Sequence, residues 1–149
     1  MSYTLIHLGH ADIAVPHAAL AGIETLSDAV PDRSDNSAWW QLQRDGRSWS
    51  LLALDQDLQP HRTPDGQQRL AVCFQNSATA ISCQSVEVLA DDEVEVSLPA
   101  ALRRSNTCLR GFIVHHQDNV ALVVDANQLQ RRLEEFLQTW QTSNAGEDA

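Results

Sequence analysis

Short runs of alternating apolar and polar residues, each closed by turn-forming residues, dominate the chain. Tyr3–Leu8 and Asp12–Val15 flank Gly9-His10 and predict a hairpin. An Ala-rich segment, Pro16–Leu26, follows, and Asp28–Ser37, polar, acidic and holding Pro31, reads as a loop. Trp39–Gln43 and Ser48–Leu54 flank Arg44-Asp45-Gly46-Arg47, where Asp-Gly tolerates the positive φ of a tight hairpin turn. Gln56–Gln68, with Pro60, Pro64 and Asp65-Gly66, reads as a second loop. Leu70–Gln75 and Thr79–Cys83 predict a hairpin about Asn76-Ser77. Val86–Leu89 and Val94–Leu98 continue the β pattern around Asp91-Asp92-Glu93. Leu109–His115 and Asn119–Val124 form a last hairpin about Gln117-Asp118. With no long helix between these runs, the pattern predicts an all-β fold of antiparallel barrels or sandwiches rather than a doubly wound α/β sheet. Two β-rich lobes fit it, one before and one after Gln56–Gln68.

The period changes once. Leu129, Leu133, Phe136, Leu137 and Trp140 recur at helical spacing, with Arg131, Arg132, Glu134 and Glu135 towards the other face. Asp125 with Gln128 three residues on resembles a capping box, which satisfies the first free amides of a helix. These signals predict one domain over residues 1–141 that ends in an α-helix, and a polar, disordered tail over 142–149.

Charge narrows the function. The 149 residues include 20 acidic and 10 basic ones, a net charge of -10, and every basic residue is Arg. Such a balance opposes binding to phosphate backbones and to anionic membrane surfaces, so neither nucleic acid nor membrane is an expected partner. The N-terminus lacks the basic and long apolar regions of a signal peptide. No apolar stretch approaches the ~20 residues of a membrane span, so a cytoplasmic location without membrane insertion is the expectation. Cys73, Cys83 and Cys108 show no CxxC spacing and read as free thiols in a reducing compartment.

The candidate chemistry is thin. His7 and His10 straddle a strand and its turn, a placement that sends their side chains apart, and no carboxylate or thiolate is expected to join them. His115 and His116, adjacent on one strand, point to opposite faces, one inward and one solvated. Cys108, a histidine of that pair and Asp125 could in principle form a nucleophilic constellation. Nothing around Cys108 supplies a helix N-terminus or a glycine-rich oxyanion loop, and Asp125 already serves as a cap. No P-loop or dinucleotide fingerprint is present. No catalytic residue, metal or cofactor is therefore expected. Trp39 and Trp40, being adjacent, cannot both enter one barrel core. At least one must be covered by a loop or another lobe, or act as an aromatic anchor for a partner.

Taken in order, these segments resemble the CheW-like domain of bacterial chemotaxis signalling. Tyr3–Pro16 followed by Leu20-Ala21-Gly22-Ile23 is similar to that family's first hairpin. Trp40–Leu54 is similar to its central hairpin, with Gly46, Leu51 and Leu54 in register. The family's Arg, Pro and Asp fall on Asp45, Ser50 and Ala53. Arg69–Leu89 is similar to the strand pair of the second lobe, with Val86 matching and Cys83-Gln84 in place of the usual Val-Asp. Leu109-Arg110-Gly111-Phe112 and Leu122-Val123-Val124-Asp125 are similar to the closing strands before the helix. The resemblance spans Tyr3 to Phe136. It implies two SH3-like, five-stranded β-barrel lobes sharing a hydrophobic seam, and a non-enzymatic adaptor between chemoreceptors and a CheA-type histidine kinase. It also puts a partner-binding surface at the central hairpin: Trp39, Trp40, Arg44, Asp45, Gly46 and Arg47. A regulator of type IV pilus motility is the nearest alternative, and a small β-barrel enzyme using Cys108 and a histidine is the alternative of a different class.

Overall fold

The computed structural model describes residues 2–26, 30–32, 39–61, 68–89, 95–97, 99, 108–115 and 119–145, with backbone alone for 30–32, 39–40, 44 and 140–145. Strands β1 (Tyr3–His7) and β2 (Asp12–Pro16) form the first expected hairpin, which turns at Gly9 with φ 103. Leu5 and Ala14 face one side, and Ile6 and Ile13 the other; all four are buried. The remaining strands are β3 (Leu20–Thr25), β4 (Val30–Asp32), β5 (Trp39–Arg44), β6 (Arg47–Leu54), β7 (Pro60–His61), β8 (Leu70–Phe74), β9 (Thr79–Cys83), β10 (Ser85–Val88), β11 (Glu95–Ser97), β12 (Leu109–His115) and β13 (Asn119–Val124).

They form two curled sheets. A terminal lobe has the order β10-β1-β2-β13-β12-β11, and an inserted lobe the order β3-β8-β9-β6-β5-β4, with β7 pairing β6 off that path. The expected all-β fold with two barrel-like lobes is present. Each sheet has five principal strands, and β4, β7 and β11, of three, two and three residues, are additions. Curling is visible in one bond: the Tyr3 hydroxyl donates to Glu95 Oε2 at 2.8 Å, although β1 and β11 are four places apart in the sheet.

Both lobes follow one plan. A central parallel pair, β2 with β13 or β9 with β6, is flanked on each side by a hairpin partner and an outer strand. In chain order β3-β4-β5-β6 then β8-β9 build one lobe, and β10-β11-β12-β13 then β1-β2 build the other. The chain ends fall between β13 and β1. The lobe boundary thus differs from the sequence expectation: β1 and β2 belong with the last strands, and β8 and β9 with the first lobe. A parallel pair needs a long connection, and alternation within a strand says nothing about which distant strand that will be. β10 and β11, flanking the acidic turn expected between them, lie on opposite edges of the sheet. The Ala-rich segment contains β3, and the two expected loops contain β4 and β7.

Three apolar clusters follow from this plan. Leu5, Ala14, Ile113, Ala121 and Val123 fill the terminal lobe. Leu42, Trp49, Leu51, Ala71, Cys73 and Ala80 fill the inserted lobe. Between the lobes lies the shared seam, where Ile6, Ile13, Leu52, Phe74 and Ile81 meet Leu129 and Leu133 of the helix. That helix, α1, runs Ala126–Ala145, so 142–145, expected in the disordered tail, form its last turn. Its cap is half a capping box. Asp125 Oδ1 accepts from the Gln128 amide at 3.0 Å, while the Asp125 amide donates to the Cys108 carbonyl at 2.7 Å and so needs no side chain from Gln128. Asp125→Ala should cost about 0.5–2 kcal/mol in urea denaturation, the usual range for a lost N-cap; wild-type stability would show that the cap contributes nothing.

One loop is anchored from within. Asp55 Oδ1 accepts from the amides of Asp57 and Gln59, each at 2.9 Å. This turn holds Leu58 at φ 59, an uncommon conformation for a branched residue, with its side chain buried in the seam. Arg132 of the helix reaches the Leu58 carbonyl at 3.5 Å.

Candidate functional site

The central hairpin forms as its turn chemistry dictates. Asp45 and Gly46 take φ 50 and 77 between the paired residues Arg44 and Arg47, a two-residue turn whose twist matches that of its strands. A side chain at Gly46 would meet nothing within 4 Å, and Asp45, Gly46 and Arg47 are exposed, so the tip stands clear of the body. Arg47 lies with its guanidinium 4.7 Å from the centroid of the Trp49 ring. Trp49 itself is buried and donates its indole N–H to the Phe74 carbonyl at 3.0 Å. The outer face of the hairpin is a polar ladder: Ser48 donates to Gln41 Oε1 at 2.6 Å, and Gln43 Nε2 donates to Ser48 at 3.0 Å.

Of the six expected contact residues, the structure brings Asp45, Gly46 and Arg47 together at this tip. Arg44 pairs with Arg47 in the backbone register, Trp40 with Leu51 and Pro31, and Trp39 with Asp32. The side chains of Trp39, Trp40 and Arg44 lie outside the described residues.

The histidines are tied separately. His7 Nδ1 stands 2.8 Å from Asp12 Oδ1, because the hairpin register places these residues opposite each other, and His7 Nε2 is 3.9 Å from Glu87. The expectation that no carboxylate joins His7 is thereby corrected; the cross-strand neighbour supplies one. His10 instead donates from Nε2 to the Leu54 carbonyl at 3.0 Å. Among the described residues no group of three or more His, Cys, Asp or Glu could hold a metal ion.

Cys108 and His115 are not neighbours. Cys108 immediately precedes β12 and His115 is its last residue, so the length of the strand, roughly 20 Å, separates them. Cys108 is fully buried, and burial pushes its thiol up, with the Asp125 charge adding to the rise and Arg132 opposing it. Burial likewise pushes Cys83 up to about 12, which leaves it a neutral packing group. His115 is the inward member of its pair, buried at 3% exposure, and His116 lies outside the described residues.

Sequence reasoning did not find a cleft of about 360 Å³ between the lobes, walled by Leu8, His10, Leu54, Asp55, Asp57 and His61. Three separate segments contribute to it, and no local spacing signals such an assembly. No protein-family model matches the chain, and no curated protein matches it.

Proposed function

We propose that this chain is a CheW-like, non-enzymatic adaptor that couples chemoreceptors to a CheA-type histidine kinase through protein–protein contact. The observation that carries the reading is the architecture. Two barrel-like lobes share one apolar seam beneath a C-terminal helix, the arrangement that the resemblance over Tyr3–Phe136 implies. The contact surface in this reading is the tip of the central hairpin, Arg44 to Arg47, with Trp39 and Trp40 on its first strand. Arg and Trp are the residue types most enriched at binding hot spots. Arg47, already laid on the Trp49 ring, has less freedom to lose on binding. The mechanism is non-covalent: the adaptor shifts a partner's equilibrium to the extent that it binds one state better. The reading implies a cytoplasmic location; among the described residues no helix is long and apolar enough to cross a membrane.

The test is a titration of the full chain against a CheA-type kinase and a chemoreceptor cytoplasmic tip. Trp40→Ala and Arg44→Ala, with β-rich circular dichroism retained, should each weaken binding by about thirtyfold, at least ~2 kcal/mol. Cys108→Ser should leave binding unchanged. Failure of the wild type to bind either partner would reject the reading, and capture of a pilus-system kinase instead would favour the motility alternative.

A further inference from the structure

The cleft between the lobes is built from parts that the adaptor reading leaves unused. Leu8 and His10 reach it from the β1–β2 turn of the terminal lobe. Leu54, Asp55 and Asp57 reach it from the end of β6 and the turn that follows, with His61 of β7 beside them. Its volume of about 360 Å³ lies within the ~300–1,000 Å³ range of small-molecule sites and equals the liquid volume of about a dozen waters. One hydrogen bond ties its two sides, since His10 Nε2 donates to the Leu54 carbonyl at 3.0 Å. The turn is fixed from within by Asp55 Oδ1, which accepts from the amides of Asp57 and Gln59, and from below by Leu58, whose side chain is buried in the seam. The walls of the cleft are therefore preformed.

The chemistry of the lining is one-sided. Asp55 and Asp57 bring two carboxylates, and among the described residues no arginine lines the cleft. His10 adds an acceptor, because a neutral ring that donates from Nε2 to a carbonyl keeps a lone pair at Nδ1. Among the described residues, the side chains of Asp57 and His61 have no hydrogen-bond or ion-pair partner. Leu8 and Leu54, almost wholly buried, give the cleft an apolar base. The ligand that meets these features is a donor-bearing cation on a short aliphatic body. The net charge of -10 raises the local concentration of such ions. The cation is organic rather than a metal ion, since among the described residues no three His, Cys, Asp or Glu group as a metal site requires.

We infer that this cleft binds a small organic cation, an alkylammonium or alkylguanidinium, with Asp57 and Asp55 taking its charged head and Leu8 and Leu54 its aliphatic body. The inference does not rest on the adaptor reading. An ammonium or guanidinium head brings only donors to a site of acceptors, and its hydrogen bonds to carboxylate are roughly twice as strong as neutral ones. The head can arrive on a free amine or on a partner's lysine or arginine side chain, and the recognising chemistry is the same for both.

The experiment is an amide-resolved NMR titration of the full chain with agmatine, which carries an ammonium and a guanidinium on one short alkyl chain. Saturable shifts should gather at Gly9 and His10, at Asp55 to Asp57, and at His61. Asp57→Asn keeps the shape of an exposed side chain and should weaken binding at least about tenfold. Glu24→Gln, which removes one negative charge on β3, should leave binding unchanged. Butyrate, an alkyl chain with an anionic head, should not bind. An arginine blocked at both ends, titrated in parallel, separates the two sources: tighter agmatine identifies a free amine, and tighter blocked arginine a partner's side chain. Shifts that fail to saturate at millimolar agmatine would overturn the proposal. So would butyrate binding as well as agmatine, or a folded Asp57→Asn that binds agmatine like the wild type.

Discussion

Leu133→Ala should lower the free energy of unfolding by roughly 2–5 kcal/mol, the range for truncating a buried leucine in a packed core. Leu133 has no exposed surface and sits in the seam, where both lobes and the helix meet. The cavity left there cannot collapse easily, because its walls are two sheets held by their own hydrogen bonds. The cost should therefore fall in the upper part of the range. Urea denaturation checks it, with exposed Glu134→Ala as a control expected within about 0.5 kcal/mol of wild type. A Leu133→Ala midpoint equal to wild type would mean that the helix does not support the seam, and the joint between the lobes would need another explanation.

Gly111→Ala should also be costly, for a reason of backbone rather than burial. A Cβ at this position would collide with the carbonyl oxygen of Val96 and stand 3.0 Å from its carbonyl carbon. The neighbour is the main chain of β11, which cannot rotate aside as a side chain would. Gly111 stands opposite Ser97 in the β11–β12 ladder, so the backbone of β11 runs directly past it. Strain from overpacking amounts to about 1–3 kcal/mol, and the edge strand β11 is the element that must yield. Tyr3, the only tyrosine in the chain, reports on that movement. Its hydroxyl titrates above the ordinary value of 10.0, raised chiefly by burial and further by the bond to Glu95 on β11 and that residue's charge. If Gly111→Ala pushes β11 away, the Glu95 contribution goes, and the tyrosinate absorbance should appear at lower pH than in the wild type. An unchanged Tyr3 titration together with unchanged stability would show that β11 adapts without loss.

Much of the local structure was legible in the chain. The hairpins at Gly9, at Asp45-Gly46 and at Asn76-Ser77 follow from turn residues between alternating runs, which act over a few residues. The helix followed from Leu129 and Leu133 at helical spacing and from Asp125 at its cap. Of the candidate site, the turn at Asp45 and Gly46 was legible for the same reason. The seating of Arg47 on Trp49, and that of Trp49 against the Phe74 carbonyl, was not, because Phe74 arrives from a different hairpin.

By itself the sequence determined the β-rich class, the turns and the helix, since each depends on neighbours along the chain. Only the tertiary structure decided which strands share a sheet. β1 and β2 join β13 rather than the strands that follow them, and the parallel pairs β2 with β13 and β6 with β9 close long loops. Tertiary structure likewise set His7 against Asp12 and left the Cys108 thiol about a strand's length from His115. The physical reason is common to all of these. Alternation states that a strand has two faces, but what each face meets is decided by the strands and lobes brought against it, and those contacts carry no local periodicity.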